Sequence, residues 1–543
     1  MRRALKIALV TTPFSSRSGI SDYTRHFLPY LRERADVDLF VEAGRETEAS
    51  EGEALRSVAD LPPREYDQIV YQLGNEAQHA FMARLVRALG GTVLLHDWVL
   101  FDLAVAAYPA LARGGPLGLR KAWQEGGTGE ARAWRRHRRG GGGSGWYAQE
   151  EGGRWSAAKA ELACAGAEAL ELDVHVPSGR GWEVLQGAQV LASGTRSGDS
   201  TIEVELDPES LDVPRLRVRG AGPVRGDARE LGLFLREARA RRAGVWTPLA
   251  LDLLTSVGET GLSSGRFELA LNRSIVRHGD AFLVHSDEIG QRILVSRNAP
   301  TPIFRIHHGV ERRWSDAPRE EARAELGLAA DGFLVASFGA LQPHKRPGML
   351  LDALARLRAR GVPARLVCIG EERPAEYDLR SALAARGLTD AVHVTGWLPE
   401  ERAWRALHAA DVCVNLRGPS TLGTSGGASQ ALSVGRPVVV SDLPEAAHLP
   451  GACVLRVAHG ADEAAALAAH LESLARDEGR RRGLEAEARR VVDEELHWSH
   501  VAQRTVDLLE EFPHARSARR SFAVRLLQAA ATQKAAAAAA EPR

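Results

Sequence analysis

Two adjacent cations, Lys345 and Arg346, stand in the segment "SFGALQPHKRP", shortly after Gly339. Further along, Arg417 precedes the small polar run "GPSTLGTSGGASQAL". Thr424, Ser425 and Gly426 lie in that run, just ahead of a helical pattern that contains Gln430. A cationic loop together with a small-residue helix start suits a phosphate-bearing ligand. Unpaired backbone N–H groups and the positive end of the helix dipole face the anion, and glycine lets the backbone come close. The stretch from Phe333 to Asp442 reads as strand ("FLVASFG"), basic loop, helix, strand, helix, strand, Gly/Ser-rich turn, helix, strand. Both clusters then fall at the C-terminal ends of strands, where open α/β sheets take up nucleotides and phosphates.

The elements upstream repeat this texture. Residues 1–135 alternate apolar strands ("KIALVT", "DVDLFVEA", "YDQIVYQLG", "GTVLL") with amphipathic helices, which predicts a parallel, doubly wound sheet. Gly19 stands at the first helix start, and His96 and Asp97 follow the strand "GTVLL". From 140 to 226 the pattern changes. A tetraglycine at 140–143 leads into period-two runs at Leu170, Leu172, Val174 and Val176, at Ile202, Val204 and Leu206, and at Leu216 and Val218. This predicts an antiparallel β-sandwich inserted in the first domain. Its Trp146, Tyr147, Trp155 and Trp182 either form a sugar-stacking platform or pack the core and sheet edges. Residues 227–300 return to the first domain, with helices predicted over "DARELGLFLREARARR" and "GRFELALNRSIVRHGD" and a strand at "AFLVHS". A second alternating domain follows over 301–500, then a helical segment over 501–530 and an Ala-rich tail over 531–543.

At 543 residues the chain is too long for one core. Lysine plus arginine and aspartate plus glutamate both total 70, so no net field draws nucleic acid or anionic lipid. The basic cluster "RAWRRHRRGGGG" at 132–143 reads as a solvated helix end, or as a peripheral contact with anionic lipid head groups. Cys164, Cys368, Cys413 and Cys453 form no CxxC pair, and three of them sit in apolar runs; a reducing cytoplasm fits them best. The basic start "MRRALKIALVTTPF" reads as a first buried strand, too short to span a membrane. The DxD-like Asp36–Asp38 stands where the chain enters the strand "DVDLFVEA" and reads as a turn, and the first loop lacks the GxGxxG of a nicotinamide enzyme.

In order along the chain, "LHDW", "FLVHS", "IHHGV", "FGALQPHKRP", "VTGWLPEERAWRALHAADVCVNLR" and "ALSVGRPVVVSD" resemble the family-four glycosyltransferases. The resemblance implies a GT-B fold: two Rossmann-like domains facing a cleft, here with the β-sandwich inserted in the N-terminal one. It implies a retaining enzyme that takes a nucleotide-diphospho-sugar as donor and a glycan or lipid-linked acceptor, with no metal and no other cofactor. Lys345 matches the diphosphate-contacting lysine of that family. Gly19, Gly339, Arg346, Arg417, Thr424, Ser425, Gly426 and Gln430 would complete the donor site. The arginine usual after the strand glycine is Ala340 here. His96 matches the histidine near the transferred sugar, where it would accept a hydrogen bond from a sugar hydroxyl, and Asp97 and Tyr23 would lie on the acceptor side.

The chain departs from the family at a pair of glutamates, whose second position is Gln430 and whose first is Leu422 or Gly423. That departure opens an alternative, a catalytically weakened relative acting as a nucleotide- or glycan-binding partner. A two-domain epimerase would need a pair of cleft carboxylates, and none is evident.

Overall fold

Strand Leu5–Val10 is wholly buried over its second half and pairs in parallel on both sides, as a continuous apolar run dictates. It belongs to a seven-stranded parallel sheet. From one edge the order is Leu55–Ser57, Ala35–Val41, Leu5–Val10, Gln68–Leu73, Thr92–Leu95, Ala281–Val284 and Ile303–Arg305. The direction of winding reverses between Leu5–Val10 and Gln68–Leu73, and a crevice opens there at the strands' C-terminal ends. A second, six-stranded parallel sheet runs Val392–Val394, Ala364–Ile369, Phe333–Phe338, Val412–Asn415, Val438–Ser441 and Val454–Val457. Its winding reverses between Phe333–Phe338 and Val412–Asn415. Each sheet carries a buried apolar cluster on both faces, so each domain is a three-layered, Rossmann-like body.

This computed structural model describes residues 3–511, apart from 17, 49–50, 139–144, 151–152, 163, 165–166, 209, 211–213, 225–226, 243, 249–268, 298–299, 316, 374–376, 419, 421–422 and 459–461. The tetraglycine at 140–143, Leu422, residues 512–530 and the tail 531–543 lie outside that set.

Two antiparallel sheets enclose a separate core between the helix Thr128–Arg138 and the return to the first domain. One runs Gln189–Gly194, Gly181–Gln186, Arg215–Arg219 and Lys159–Glu161. The other runs Gly198–Glu205, Ala169–Val176, Phe234–Arg242, Gly153–Ser156 and Trp146–Glu150, with Val245–Pro248 hydrogen-bonded to Phe234–Arg242. Leu170, Leu172, Val174, Ile202, Leu216 and Val218 all point into this core, as their alternation predicts. Trp146 is buried there and donates from Nε1 to the Glu161 carbonyl at 2.6 Å. Trp155 stacks on Phe234, and Trp182 packs at the core edge. These three tryptophans therefore serve packing, and the Tyr147 side chain is not among those described.

Four expectations need correction. "DARELGLFLREARARR" is not a helix: Asp227–Leu231 and Phe234–Arg242 are strands, and the sandwich extends to Pro248 rather than ending at 226. Buried Leu231, Leu233 and Leu235 alternate, then Ala238 and Ala240 continue one position out of phase after a β-bulge between Leu235 and Glu237. Asp36 and Asp38 lie inside strand Ala35–Val41 instead of a turn, with Asp38 accepting from Tyr66 and Arg56. Strand Ile303–Arg305 pairs with Ala281–Val284, so the first domain runs past 301. Finally, helix Trp498–Glu511 returns to that first domain. Trp498, Val501, Val506 and Leu509 share a core with Ile7, Phe27 and Leu31, and Gln68 Nε2 donates to the Leu509 carbonyl at 2.8 Å.

Candidate active site

Strand Phe333–Phe338 ends at Gly339, which has φ +98°. That positive φ favours glycine, and the Lys345 ammonium lies against the position a Cβ would take. The basic loop thus folds back to set Lys345 Nζ over the strand end. Its neighbour Arg346 is turned elsewhere. It adopts a left-handed conformation (φ 53°) at the start of helix Pro347–Ala359, and its guanidinium pairs with Glu463. The basic loop is tied to the next crossover by Gly418 N, which donates to the His344 carbonyl at 2.8 Å. Arg417 N donates to Ser441 Oγ at 3.1 Å.

Across the same crevice, strand Val412–Asn415 leads to helix Gly426–Ser433. Ser425 caps that helix, accepting from Ala428 N, and its hydroxyl donates to Asn415 Oδ1. Gly427 lies close over Asn415: a Cβ would come within 2.8 Å of its Nδ2. Gly426 faces His308, and half-buried Gln430 follows one turn later on the same side. Two of the amides expected to face a diphosphate are engaged here. Gly426 N donates to the Thr424 carbonyl, and Thr424 N donates across the domains to the His96 carbonyl, both at 3.1 Å.

His96 directly follows strand Thr92–Leu95 and is 6% exposed. Its Nδ1 lies 3.3 Å from His285 Nε2, and His285 Nδ1 lies 3.1 Å from the Ile306 carbonyl. His96 Nε2 lies 3.2 Å from the Gln72 amide oxygen. Burial first, then the neighbouring histidines, pushes both pKa values well below the ordinary histidine value, so both rings are neutral. The proton positions follow. The Ile306 carbonyl can only accept, so His285 Nδ1 carries hydrogen and its bare Nε2 accepts from His96 Nδ1–H. His96 Nε2 is then bare, and it requires the Gln72 amide turned end for end. That orientation uses the Gln72 nitrogen, which otherwise has no partner. Both ring nitrogens of His96 are therefore committed inside the first domain. What His96 presents across the cleft in this structure is its backbone carbonyl, which accepts from Thr424 N.

Tyr23 packs edge-on against His96, His308 and Trp498, with ring centroids 4.7, 5.0 and 4.8 Å away. Burial holds His308 at about 4 and pushes the Tyr23 phenol up, and the Tyr23 hydroxyl is buried without a hydrogen-bond partner. Asp97 accepts from Asn75 N at 2.9 Å and does not cap helix Phe101–Ala107. Gly19 opens helix Gly19–Arg32 beside open space, one residue after the cap Ser18.

A cross-domain clasp flanks the cleft. On the N-terminal side of helix Glu400–His408, Glu400 meets His26 at 2.9 Å, Arg25 at 3.3 Å and Arg313 at 3.3 Å, and it accepts from Trp404 Nε1 at 3.2 Å. Partial burial works to raise its pKa, but the His26 hydrogen bond and the surrounding cations prevail and hold it at about 2. Sequence reasoning passed over His285, His308 and this clasp. The two histidines had a signal: like His96, each follows an apolar run next to a strand end. Among the described residues no group of three or more His, Cys, Asp or Glu is disposed to hold a metal ion, and no helix is long and apolar enough to cross a membrane.

Residues 332–477 match the family of glycosyl transferases group 1. The chain is 30% identical over 175 residues to D-inositol 3-phosphate glycosyltransferase of Mycobacteroides abscessus, covering 31% of this chain and 38% of that protein. It is 33% identical over 136 residues to alpha-D-kanosaminyltransferase of Streptomyces kanamyceticus, covering 24% of this chain and 34% of that protein. The chain thus spans well under half the length of these relatives. In fold it is similar to sucrose-phosphate synthase from Thermosynechococcus elongatus, with a TM-score of 0.52 and 14% identity over 93% of this chain and 98% of that one. It is also similar to Anabaena Alr3699/HepE in complex with UDP and glucose, with a TM-score of 0.51 and 12% identity over 94% of this chain and 100% of that one. The architecture is the GT-B fold, and its C-terminal domain carries the group 1 glycosyl transferase sequence pattern.

Proposed function

We propose that the chain transfers a sugar from a nucleotide-diphospho-sugar to an acceptor hydroxyl, with retention of anomeric configuration and without a metal. The observation that carries this reading is the meeting of three groups at facing crevices: the Lys345 ammonium, the N-terminus of helix Gly426–Ser433 and the His96 carbonyl. The match of residues 332–477 to group 1 glycosyl transferases supports it.

In this reading the diphosphate lies between Lys345 and the helix start. Fixed positive groups there stabilise the charge that grows on the leaving oxygen, and removing one such donor costs on the order of 3 kcal/mol of barrier. Thr424 N exchanges the His96 carbonyl for a phosphate oxygen. The freed carbonyl dipole then faces the sugar, where its negative end favours positive charge at the anomeric carbon. The bond from that carbon to the diphosphate breaks as the bond to the acceptor oxygen forms on the same face. The acceptor proton passes to the departing diphosphate. Gln430 would hold the ribose diol as a neutral partner, more weakly than a carboxylate. Gly423 or Leu422 leaves the other glutamate position without charge.

Calorimetric titration with UDP-, GDP- and ADP-sugars, followed by proton NMR of the product anomer, tests this. Binding of one donor and a retained anomer are expected. No binding at millimolar donor would remove the proposal, and an inverted product would remove retention.

A further inference from the structure

Four helices of the first domain, Ala80–Leu89, Arg273–His278, Gly115–Gly126 and Thr128–Arg138, pack one against the next, and their outward charge is of one sign. Exposed cations stand on or beside them at Arg84, Arg87, Arg113, Arg120, Arg132 and Arg135. Only two carboxylates occur in these helices, Glu125 and Glu130, and both are drawn into the packing. Glu125 is 2% exposed and pairs with Lys121 at 2.6 Å. Glu130 accepts from Leu271 N at 2.7 Å, and burial pushes its carboxyl up to about 7. The chain as a whole has no net charge, so this one-sided field is a local feature.

Two large apolar side chains stand among these cations: Leu117 is 69% exposed and Trp123 54%. Positions 117, 120 and 123 are spaced by three on helix Gly115–Gly126, so they form one row on its outer side, with Arg120 between the apolar pair. The other side of the helix, at Gly118, Ala122 and Glu125, is buried. Helix Thr128–Arg138 runs back antiparallel, with Glu130 against Gly126 and Trp134 against Gly118. Its Ala131 and Trp134 are buried, which leaves Arg132 and Arg135 outside.

We propose that this helical layer docks on the surface of an anionic lipid bilayer. Leu117 and Trp123 enter the boundary between head groups and acyl chains, where an indole ring is favoured, and the arginines meet the lipid phosphates. A nucleic acid would answer the charge equally well, but it offers an exposed leucine nothing to be buried in; a bilayer answers both. The contact uses no residue of the transfer cleft and is independent of the transfer reaction.

Sedimentation of the full chain with vesicles tests the proposal. At low salt it should bind vesicles of equal parts phosphatidylglycerol and phosphatidylcholine, be released as salt screens the charges, and leave phosphatidylcholine vesicles unbound. Leu117→Ser with Trp123→Ser, and separately Arg120→Glu with Arg132→Glu, should each weaken binding by about tenfold or more without changing the melting temperature. Lipids brominated along the acyl chain should quench fluorescence of the unaltered chain, and Trp123→Phe should remove most of that quenching. Lys345→Ala should bind vesicles as the unaltered chain does. No binding to the mixed vesicles, equal binding to neutral ones, or unchanged binding in either double variant would overturn the docking surface. So would duplex DNA binding without vesicle binding, which would assign the patch to nucleic acid. Donor titrations report the transfer cleft separately, so the two readings can fail independently.

Discussion

Lys345 and Arg346 are neighbours with opposite fates, and the difference is local geometry. The turn to Gly339 brings one cation over the strand end, while Glu463 engages the other. Lys345→Ala should therefore weaken donor binding or turnover by about tenfold to a hundredfold, the effect of losing one charge-assisted contact. Calorimetry and initial rates measure this, and a change within twofold would place the ammonium outside the site. The buried histidines make a second prediction. Their folded pKa values are lowered, His308 to about 4 from an ordinary 6.5, so the unfolded chain binds protons that the folded one refuses. Their contribution is present in full above pH 6.5 and is lost as the pH falls from there towards 4. Urea midpoints should be lower at pH 5 than at pH 7; equal midpoints would mean that the rings are already solvated. None of this pairing was legible in the sequence. "LLHDW", "LVHS" and "IHHGV" gave three histidines near strand ends, but only the parallel pairing of Ala281–Val284 with Thr92–Leu95 puts His285 against His96.

At the scale of elements, helix Gly426–Ser433 depends on one hydroxyl, because Ser425 both caps it and ties it to Asn415. Ser425→Ala should cost about 1 kcal/mol of stability, read as a lower urea midpoint, and should loosen the donor crevice as well. A midpoint unchanged within error would mean that the helix start is held by other contacts. The strands and crossovers from Phe333 to Asp442 were legible, since continuous apolar runs with helical intervals admit few alternatives. The stretch Asp227–Arg242 was not. Its Arg, Glu and Ala are good helix formers, and the bulge after Leu235 breaks the alternation just where a reader would use it. Burial against the facing sheet decided the matter over propensity. The strand Ile303–Arg305 is only three residues long, too short to announce which sheet it joins.

At the scale of the whole molecule, the two bodies are linked by chain near Ile306–Val310 and again where the π-turn Val492–Leu496 meets helix Trp498–Glu511. The Glu400 clasp closes a third side. Glu400→Gln should open the cleft, read as a larger radius of gyration by X-ray scattering with unchanged circular dichroism. An unchanged radius would assign closure to other contacts. Because the Glu400 carboxyl is held at about 2, its charge persists through mild acid. The stability it lends is full above the ordinary carboxylate range and is lost progressively as the pH falls from about 4.5 to about 2. Helix Trp498–Glu511 carries a further consequence. It supplies Trp498, Val501 and Leu509 to a core that begins with Ile7 and Leu9. A nascent polypeptide emerging from the ribosome makes the first body's strands early, yet cannot seal them until its closing helix has been synthesised. The half that is translated first is the half that finishes last, and it stays exposed to proteases and chaperones throughout elongation.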